Sequence, residues 1–408
     1  MHHRSPKNFI PEPFPYHHEL ELHISSMTNL GMGIGKWNDW VVMVPFVIPG
    51  ERVRARIFRN HKNYSEADLL EVIDPSPDRT QPGCSYFGSC GGCQYQHLTY
   101  PAQLEIKRQH VAETLTKIAG IDTAIALPIH SEHAFHYRSK ITPHHNKPRQ
   151  GELGAMGFLK VGQRNQIVDI ERCVIATEAI NAELTVQRSE RQALARKGRM
   201  KKGATLLLRD VMEGVITDPK KVVTERVGPR IFQFKAGDFF QNNPFVLPKM
   251  VDYVIDQAKQ TGQPYLIDAY CGSGLFSICA SHAFERCIGI EISESAIQWA
   301  RANAALNQLK NCRFQVGDAK DIFESVDLPP AQCVLLIDPP RKGCDADFLD
   351  QVSRFKPGRM VYVSCDPATQ ARDLKRLLEM GYQVEQVQPV DLFPQTRHIE
   401  NIVTLSLG

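Results

Sequence analysis

The 408-residue chain has no run of eighteen apolar residues, and its first stretch, Met1 to Tyr16, is rich in His and Pro and lacks an apolar signal core. Neither a membrane-spanning helix nor a secretory leader is expected, and a cytoplasmic location is. No internal repeat or low-complexity tract is present, so a repeat architecture is not expected. Gly31, Gly33 and Gly35 are not followed by the Gly-Lys-Ser/Thr that opens a phosphate-loop helix, so they read as a tight turn of a barrel. Net charge is scarce as well. The 48 Lys and Arg against 45 Asp and Glu leave +3, which on this length gives no reason to expect a polyanionic partner.

The composition that is present, 42% hydrophobic and 23% charged, excludes a disordered or collagen-like chain and leaves material for two or three domains. Charge is unevenly placed. Residues 1–100 sum to −1, residues 101–235 to +9 and residues 236–408 to −5, so a polyanion is steered to the middle of the chain. The eleven cysteines are odd in number and several, including Cys271, Cys279 and Cys333, sit in apolar runs. A disulfide framework is not expected in a reducing compartment.

Residues 19–73 alternate as short strands and turns, which predicts a small β-barrel. In one strand Arg52, Arg54 and Arg56 alternate with Val53, Ala55 and Ile57, so one face is basic and the other apolar. That face reads either as a solvated surface or as an RNA contact. A breaker-rich segment, Asp74 to Pro82, marks a boundary, and the spacing of Leu104, Val111, Leu115 and Ile118 predicts a helix over 101–119. Residues 135–235 read as mixed strands and turns interrupted by a basic run from Gln187 to Lys202. From about residue 246 strands and helices alternate, which predicts a doubly wound α/β domain. The resulting division is a tail at 1–16, a barrel at 17–75, a central domain at 76–235 and a catalytic domain at 236–408, with the helix over 101–119 a candidate for packing on the last.

The first strand of that last domain runs into Asp268, Tyr270, Cys271, Gly272 and Gly274, a glycine turn that lets a ligand approach the backbone. A dinucleotide fingerprint requires Gly or Ala where Ser277 stands, which argues against a nicotinamide cofactor. Asp268, Glu291, Asp318 and Asp338 fall in order at strand ends, the crevice side of an open sheet. Each alone reads equally well as a helix cap, but together they fit S-adenosylmethionine. The fifth strand delivers Cys365 to the same crevice, where a thiolate suits conjugate addition to an unreactive pyrimidine carbon. His398 and Glu400 precede the final strand and are both candidate bases. Cys84, Cys90 and Cys93, with Gly91 and Gly92 between them and Cys173 downstream, offer four soft ligands for zinc or an iron–sulfur cluster.

These residues together resemble the RNA uridine-5 methyltransferases over nearly the whole chain, and in particular the iron–sulfur-containing branch acting on 23S ribosomal RNA. The resemblance implies a class I S-adenosylmethionine-dependent fold, an OB-like TRAM barrel and a central mixed α+β domain carrying a 4Fe-4S cluster on Cys84, Cys90, Cys93 and Cys173. It implies Cys365 as nucleophile and Glu400 as proton acceptor, with Gln241, Tyr270, Glu291, Asp318 and Asp338 at the cofactor. The implied partner is RNA, most of all large-subunit ribosomal RNA with tRNA as the alternative, and no obligatory protein partner. Two positions depart from the family pattern: Asp366 stands where Asn is frequent, and Leu275 where some members carry a polar side chain. A methyltransferase acting on an amino group has no use for Cys365, and a non-catalytic RNA-binding iron–sulfur protein has no use for Cys365, Glu400 and Gln241 together.

Overall fold

The computed structural model describes residues 5–318, 322–324 and 326–408. In chain order the elements begin with β1 (Glu19–Met27), β2 (Met32–Trp37), β3 (Trp40–Pro45), β4 (Arg52–Asn60), β5 (Tyr64–Asp74) and α1 (Tyr100–Ala119). There follow β6 (Lys140–Ile141), β7 (His144–His145), β8 (Met156–Lys160), β9 (Gln163–Asp169), α2 (Glu178–Arg196), β10 (Ala204–Thr205), β11 (Leu208–Val211), β12 (Gly214–Ile216), β13 (Val222–Val227) and β14 (Arg230–Lys235). The last stretch is α3 (Leu247–Lys259), β15 (Tyr265–Ala269), α4 (Leu275–Ala280), β16 (Arg286–Glu291), α5 (Glu294–Leu306), β17 (Cys312–Val316), β18 (Cys333–Ile337), α6 (Ala346–Phe355), β19 (Arg359–Ser364), α7 (Pro367–Glu379), β20 (Tyr382–Val390) and β21 (Glu400–Leu407). Among the described residues no helix is long and apolar enough to cross a membrane.

The chain divides into two compact units, one made of the residues through His110 with Phe158–Ile170 and Pro394–Arg397, the other of the rest. In the first unit β1 to β5 close a barrel in the order β1-β2-β3-β5-β4. The period of two in β4 buries Val53, Ala55 and Ile57 completely and turns the arginines outward. Those arginines do not form a free positive stripe. Arg52 pairs with Glu21 at 2.9 Å and Asp74 at 2.7 Å, Arg54 with Glu71 at 2.8 Å, and Arg56 with Asp68 at 3.4 Å. The carboxylates come from the flanking strands β1 and β5, so the face is an ion-pair ladder and the RNA-contact reading of it loses its main support. The breaker-rich segment after β5 is anchored as well, since the Arg79 guanidinium donates to the buried Glu51 carboxylate at 2.5 and 2.7 Å.

In the second unit a seven-stranded sheet runs in the order β17-β16-β15-β18-β19-β21-β20, with β21 antiparallel to both of its neighbours and the other pairs parallel. Its central strands are apolar throughout because both faces are covered, as in β18, where all five residues are buried. One face packs on α3, α4 and α5 through Met250, Phe276 and Ile297. The other packs on α6, α7 and the second half of α1 through Phe348, Leu374 and Val111. Strand order reverses between β15 and β18, and open sheets of this kind take ligands outside the carboxyl ends of the strands at that point. Ahead of this sheet, β11 pairs with β12 and β6, and β13 with β14. The basic run from Gln187 occupies the second half of α2 and the turn that follows it.

Candidate active site

Register brings the strand ends into line. Ala269 at the end of β15 lies opposite Ile290 and Ile337, so Tyr270, Glu291 and Asp338 follow at one level. Ser364 lies opposite Asn401, and Cys365 and Glu400 therefore take neighbouring positions across β19 and β21. Asp318 follows the end of β17 and is exposed.

At the turn after β15 the backbone is bent out of the strand path. Tyr270 and Gly272 hold φ of +64° and +54°, and Gly274 caps α4 at +89°. Such a left-handed value at a non-glycine residue is a strained arrangement typical of ligand sites. The Glu291 carboxylate accepts from the Gly272 N–H at 3.3 Å and from the Ser293 N–H at 3.0 Å, which aims it across the turn. Asp268, fully buried, accepts through Oδ2 from the Ser277 N–H at 3.0 Å and the Ser277 hydroxyl at 2.7 Å, while its Oδ1 has no partner among the described residues. Burial outweighs these bonds and pushes Asp268 up to about 7. A side chain at Gly272 would meet nothing within 4 Å, so the turn leaves open room next to the Glu291 carboxylate. Open space, a carboxylate at the strand end and an orphaned acceptor fit a nucleoside-bearing methyl donor, with the Glu291 carboxylate able to accept from ribose hydroxyls. Leu275, the departure noted in the sequence, packs partly buried against the core under the turn.

On the other side of the switch point four side chains share one electrostatic environment. The Arg341 guanidinium lies close enough to the Cys365 sulfur to favour its thiolate. Burial first, then the charges of Glu400 and Asp338, push the Cys365 thiol up to about 11 against that cation. Glu400 is 5% exposed, and burial with Asp338 beside it holds its carboxyl well above the ordinary carboxylate range, opposed by Arg341. Burial, with a contribution from Asp268, pushes Asp338 up to about 7. The resting crevice therefore favours the neutral thiol at Cys365 and shifts the carboxyls of Glu400 and Asp338 toward the protonated form.

Local structure explains why these groups stand still. Cys365 precedes α7, whose N-cap is Asp366 with Pro367 as the first helical residue. The Asp366 carboxylate accepts from the Ala368 N–H at 3.0 Å and the Thr369 N–H at 3.2 Å, so Asp at this departure from the family pattern does the work of a helix cap. The Thr369 hydroxyl donates to the Arg341 carbonyl at 3.1 Å and ties the Arg341 loop to the same helix. A buried amide clasp, in which Gln370 donates to the Tyr362 and Asn401 carbonyls and Asn401 donates back to Gln370 at 2.7 Å, fixes β21 against α7. The Gln241 segment is held by Asn243, which donates to the Leu392 carbonyl at 3.0 Å, and by the Ser139 N–H on the Asn242 carbonyl at 2.9 Å. Gln241 itself is half-buried and makes no side-chain hydrogen bond among the described residues. His398, the rival base, is half-buried and lies edge-on to Phe393 with ring centroids 6.1 Å apart.

Sequence reading gave Arg341 no part in this crevice, although the Asp338-Pro-Pro-Arg341 string carried it to the right strand end. The four cluster cysteines behave differently from the crevice residues. Cys84, Cys90, Cys93 and Cys173 are half-buried thiols, and among the described residues no group of three or more His, Cys, Asp or Glu side chains is arranged to hold a metal ion. The 4Fe-4S cluster implied by the resemblance is therefore not shown.

Residues 197–407 match the model of the tRNA (Uracil-5-)-methyltransferase family, and residues 18–70 match the TRAM domain. The tRNA (uracil(54)-C(5))-methyltransferase of Schizosaccharomyces pombe is 42% identical over 97% of this chain and 79% of its own length. The protein of the same description from Saccharomyces cerevisiae is 35% identical over 96% of this chain and 74% of its own. The crystal structure of the Pyrococcus abyssi tRNA (uracil-54, C5)-methyltransferase in complex with S-adenosyl-L-homocysteine superposes with a TM-score of 0.74, covering 95% of this chain and 100% of that one at 24% identity, which establishes a shared fold. With half of its length matched by the family model and a relative at 42% identity across nearly all of it, the chain belongs to the tRNA (Uracil-5-)-methyltransferase family and is an S-adenosylmethionine-dependent RNA uracil-5-methyltransferase.

Proposed function

We propose that the substrate is a uridine in tRNA, methylated at carbon 5 with Cys365 as nucleophile and Glu400 as proton acceptor. The tRNA assignment takes the place of the large-subunit ribosomal RNA expected from the resemblance, because the two fungal relatives at 42% and 35% identity are both described as acting on uracil 54 of tRNA. The observation that carries the chemistry is the register that sets Cys365 beside Glu400, with the Arg341 cation near enough to favour the thiolate.

A target base stacked in a helix hides its reacting carbons, so the uridine enters extruded. The Cys365 thiolate adds to carbon 6, and the electron pair of the C5–C6 double bond moves toward the uracil carbonyl as an enolate. S-adenosylmethionine, when bound, would supply an electrophilic methyl group, which carbon 5 would take with the enolate electron pair as the S–CH3 bond breaks and S-adenosylhomocysteine leaves; Gln241, Tyr270, Glu291, Asp318 and Asp338 are the residues proposed to hold it and the base at attack distance, which lowers the entropic cost of the step. Glu400 then takes the proton from carbon 5, the C–H electrons restore the double bond, and the thiolate leaves. A carboxylate whose burial favours the protonated form is the stronger base once ionised, which suits removal of a carbon-bound proton. Arg341 offsets the negative charge that Cys365 carries before addition and after elimination.

Incubation with 5-fluorouridine-substituted tRNA and S-adenosylmethionine tests this reading, since fluorine blocks the final proton removal and traps the covalent adduct. The adduct is expected with the native protein and absent in Cys365→Ala; persistence in that variant overturns the nucleophile, and methylation of ribosomal but not transfer RNA overturns the substrate. A 4Fe-4S cluster on Cys84, Cys90, Cys93 and Cys173 rests on the sequence resemblance alone. Iron and sulfide analysis of anaerobically purified protein tests it, and a colourless preparation containing zinc or no metal overturns it.

A further inference from the structure

The +9 middle of the chain contains one pocket in which its charge stays unspent. A cavity of about 430 Å³ in the second unit is lined by Lys140, Arg191, Gln187, Thr142, Thr205 and Thr217, and its wall includes no carboxylate-bearing residue. The arginines of β4 are each matched by a carboxylate, but neither Lys140 nor Arg191 has an ion-pair partner among the described residues. The Arg191 Nε is buried without any hydrogen-bond partner there. Lys140 reaches only the backbone carbonyls of Gly237 and Asp238, at 3.5 and 3.4 Å. Burial, with Arg209 nearby and Asp238 opposing, pushes Lys140 down to about 8.

Three features identify the chemistry of the missing occupant. Two cations with spare donors and hydroxyls around them suit the oxygens of a phosphate. The volume lies within the range of small-ligand sites, and Leu207 and Pro219 add apolar wall against which a ring can rest. Gly237 closes one side of the cavity and leads directly into the Asp238 to Gln241 segment, so the pocket adjoins the segment that carries Gln241.

We propose that this pocket binds a phosphorylated nucleotide of the substrate RNA that flanks the target uridine, with Lys140 and Arg191 on its phosphate. The inference rests on the RNA-methylation reading above and names a second point at which the RNA is gripped, set apart from Cys365. It gives the RNA a register: a nucleotide seated here fixes how far along the strand the extruded uridine lies.

The test compares native protein with Arg191→Ala, Lys140→Ala and Lys140→Arg by fluorescence anisotropy on a tRNA transcript across a salt series. Loss of one phosphate contact is expected to weaken RNA binding about tenfold and to lower the salt slope by about one; Lys140→Arg is expected to recover most of it. In turnover, the loss is expected to fall on KM for RNA more than on kcat, with affinity for S-adenosylhomocysteine as the check on folding. Uridine 5′-monophosphate is expected to compete with RNA in native protein and to lose its effect in Arg191→Ala. RNA affinity and salt slope unchanged in both alanine variants overturn the proposal, and so does nucleotide binding that depends on Arg191 without displacing RNA, which makes the pocket a site for free nucleotide. The 5-fluorouridine adduct separates the two readings. If it forms while the pocket variants bind RNA normally, only the pocket fails; if no RNA yields adduct or methyl transfer in the native protein while Arg191 still governs RNA affinity, only the catalytic reading fails.

Discussion

Replacing Arg341 by Gln removes the cation that opposes two acidic groups, Glu400 and Asp338, around Cys365, and the size of the effect can be worked out in advance. A hydrogen bond to a charged group contributes about 1.5–3 kcal/mol. The Arg341 guanidinium is exposed, so solvent screening argues for the bottom of that range, and about 1.4 kcal/mol corresponds to one pH unit. The Cys365 thiol, already pushed up to about 11, is expected to rise by about one further unit. Far below that value the thiolate fraction then falls about tenfold, but a more basic thiolate is also more nucleophilic, with a Brønsted coefficient of about 0.4–0.5. The net expectation is an alkylation rate about threefold slower. The assay is iodoacetamide labelling at several pH values between 8 and 9.5, read by mass spectrometry on the peptide carrying Cys365 because ten other cysteines are present. That window lies above the value of about 7 to which Asp338 is pushed, so its charge stays constant. Arg341→Lys is expected to recover most of the rate. Equal rates for the native protein and Arg341→Gln across the whole window refute the role assigned to Arg341.

Two further predictions concern the methyl-donor side. Asp268 keeps its proton in the fold up to about 7, against 3.8 in its ordinary state; between those values the unfolded chain is ionised and the folded one is not, so this group's contribution to stability falls as pH rises, by up to about 1.4 kcal/mol per unit. In Asp268→Asn the decline in Tm from pH 4.5 to 7 is expected to be shallower than in the native protein, and parallel curves sink the assignment. A Cβ at Gly274 would sit 3.0 Å from Ile278 Cδ1 and 3.1 Å from the Phe314 ring at a φ of +89°. Gly274→Ala is expected to cost about 1–3 kcal/mol and to weaken S-adenosylhomocysteine binding measured by calorimetry; unchanged stability and affinity together would falsify the strained-turn account.

The sequence made the parts with strong local patterning legible. Alternation of Glu19, Glu21 and His23 with Leu20, Leu22 and Ile24 marks β1 as half-buried, and the unbroken apolar run of β18 marks a central parallel strand. What it left unread depends on register. The neighbours of Arg52, Arg54 and Arg56 are carboxylates on β1 and β5, and only strand pairing decides whether a basic row is neutralised. β20 was not foreseen at all: Gln383, Glu385, Gln386, Gln388 and Pro389 give it a polar, interrupted pattern that suits the edge of the sheet and resembles a loop. Arg341 sits at a strand end that the sequence identified, but its approach to Cys365 joins the ends of two different strands. Asp366 looked like a change at the nucleophile and is a helix cap, a role that a short polar side chain before Pro367 does announce.

The insertion of β21 between β19 and β20 has a consequence for how the enzyme becomes active. β21 is the last of the three to leave the ribosome, so until it arrives β20 has its bridge to the segment around Ile129 but no neighbouring strand in the sheet. A nascent chain that has folded β15 to β19 already presents Cys365 at an open sheet edge, without Glu400 and without Asn401 to clasp α7. On the proposed roles, competence is therefore gained in one late step, because Glu400 reaches the side of Cys365 only when the strand that supplies it has closed the sheet.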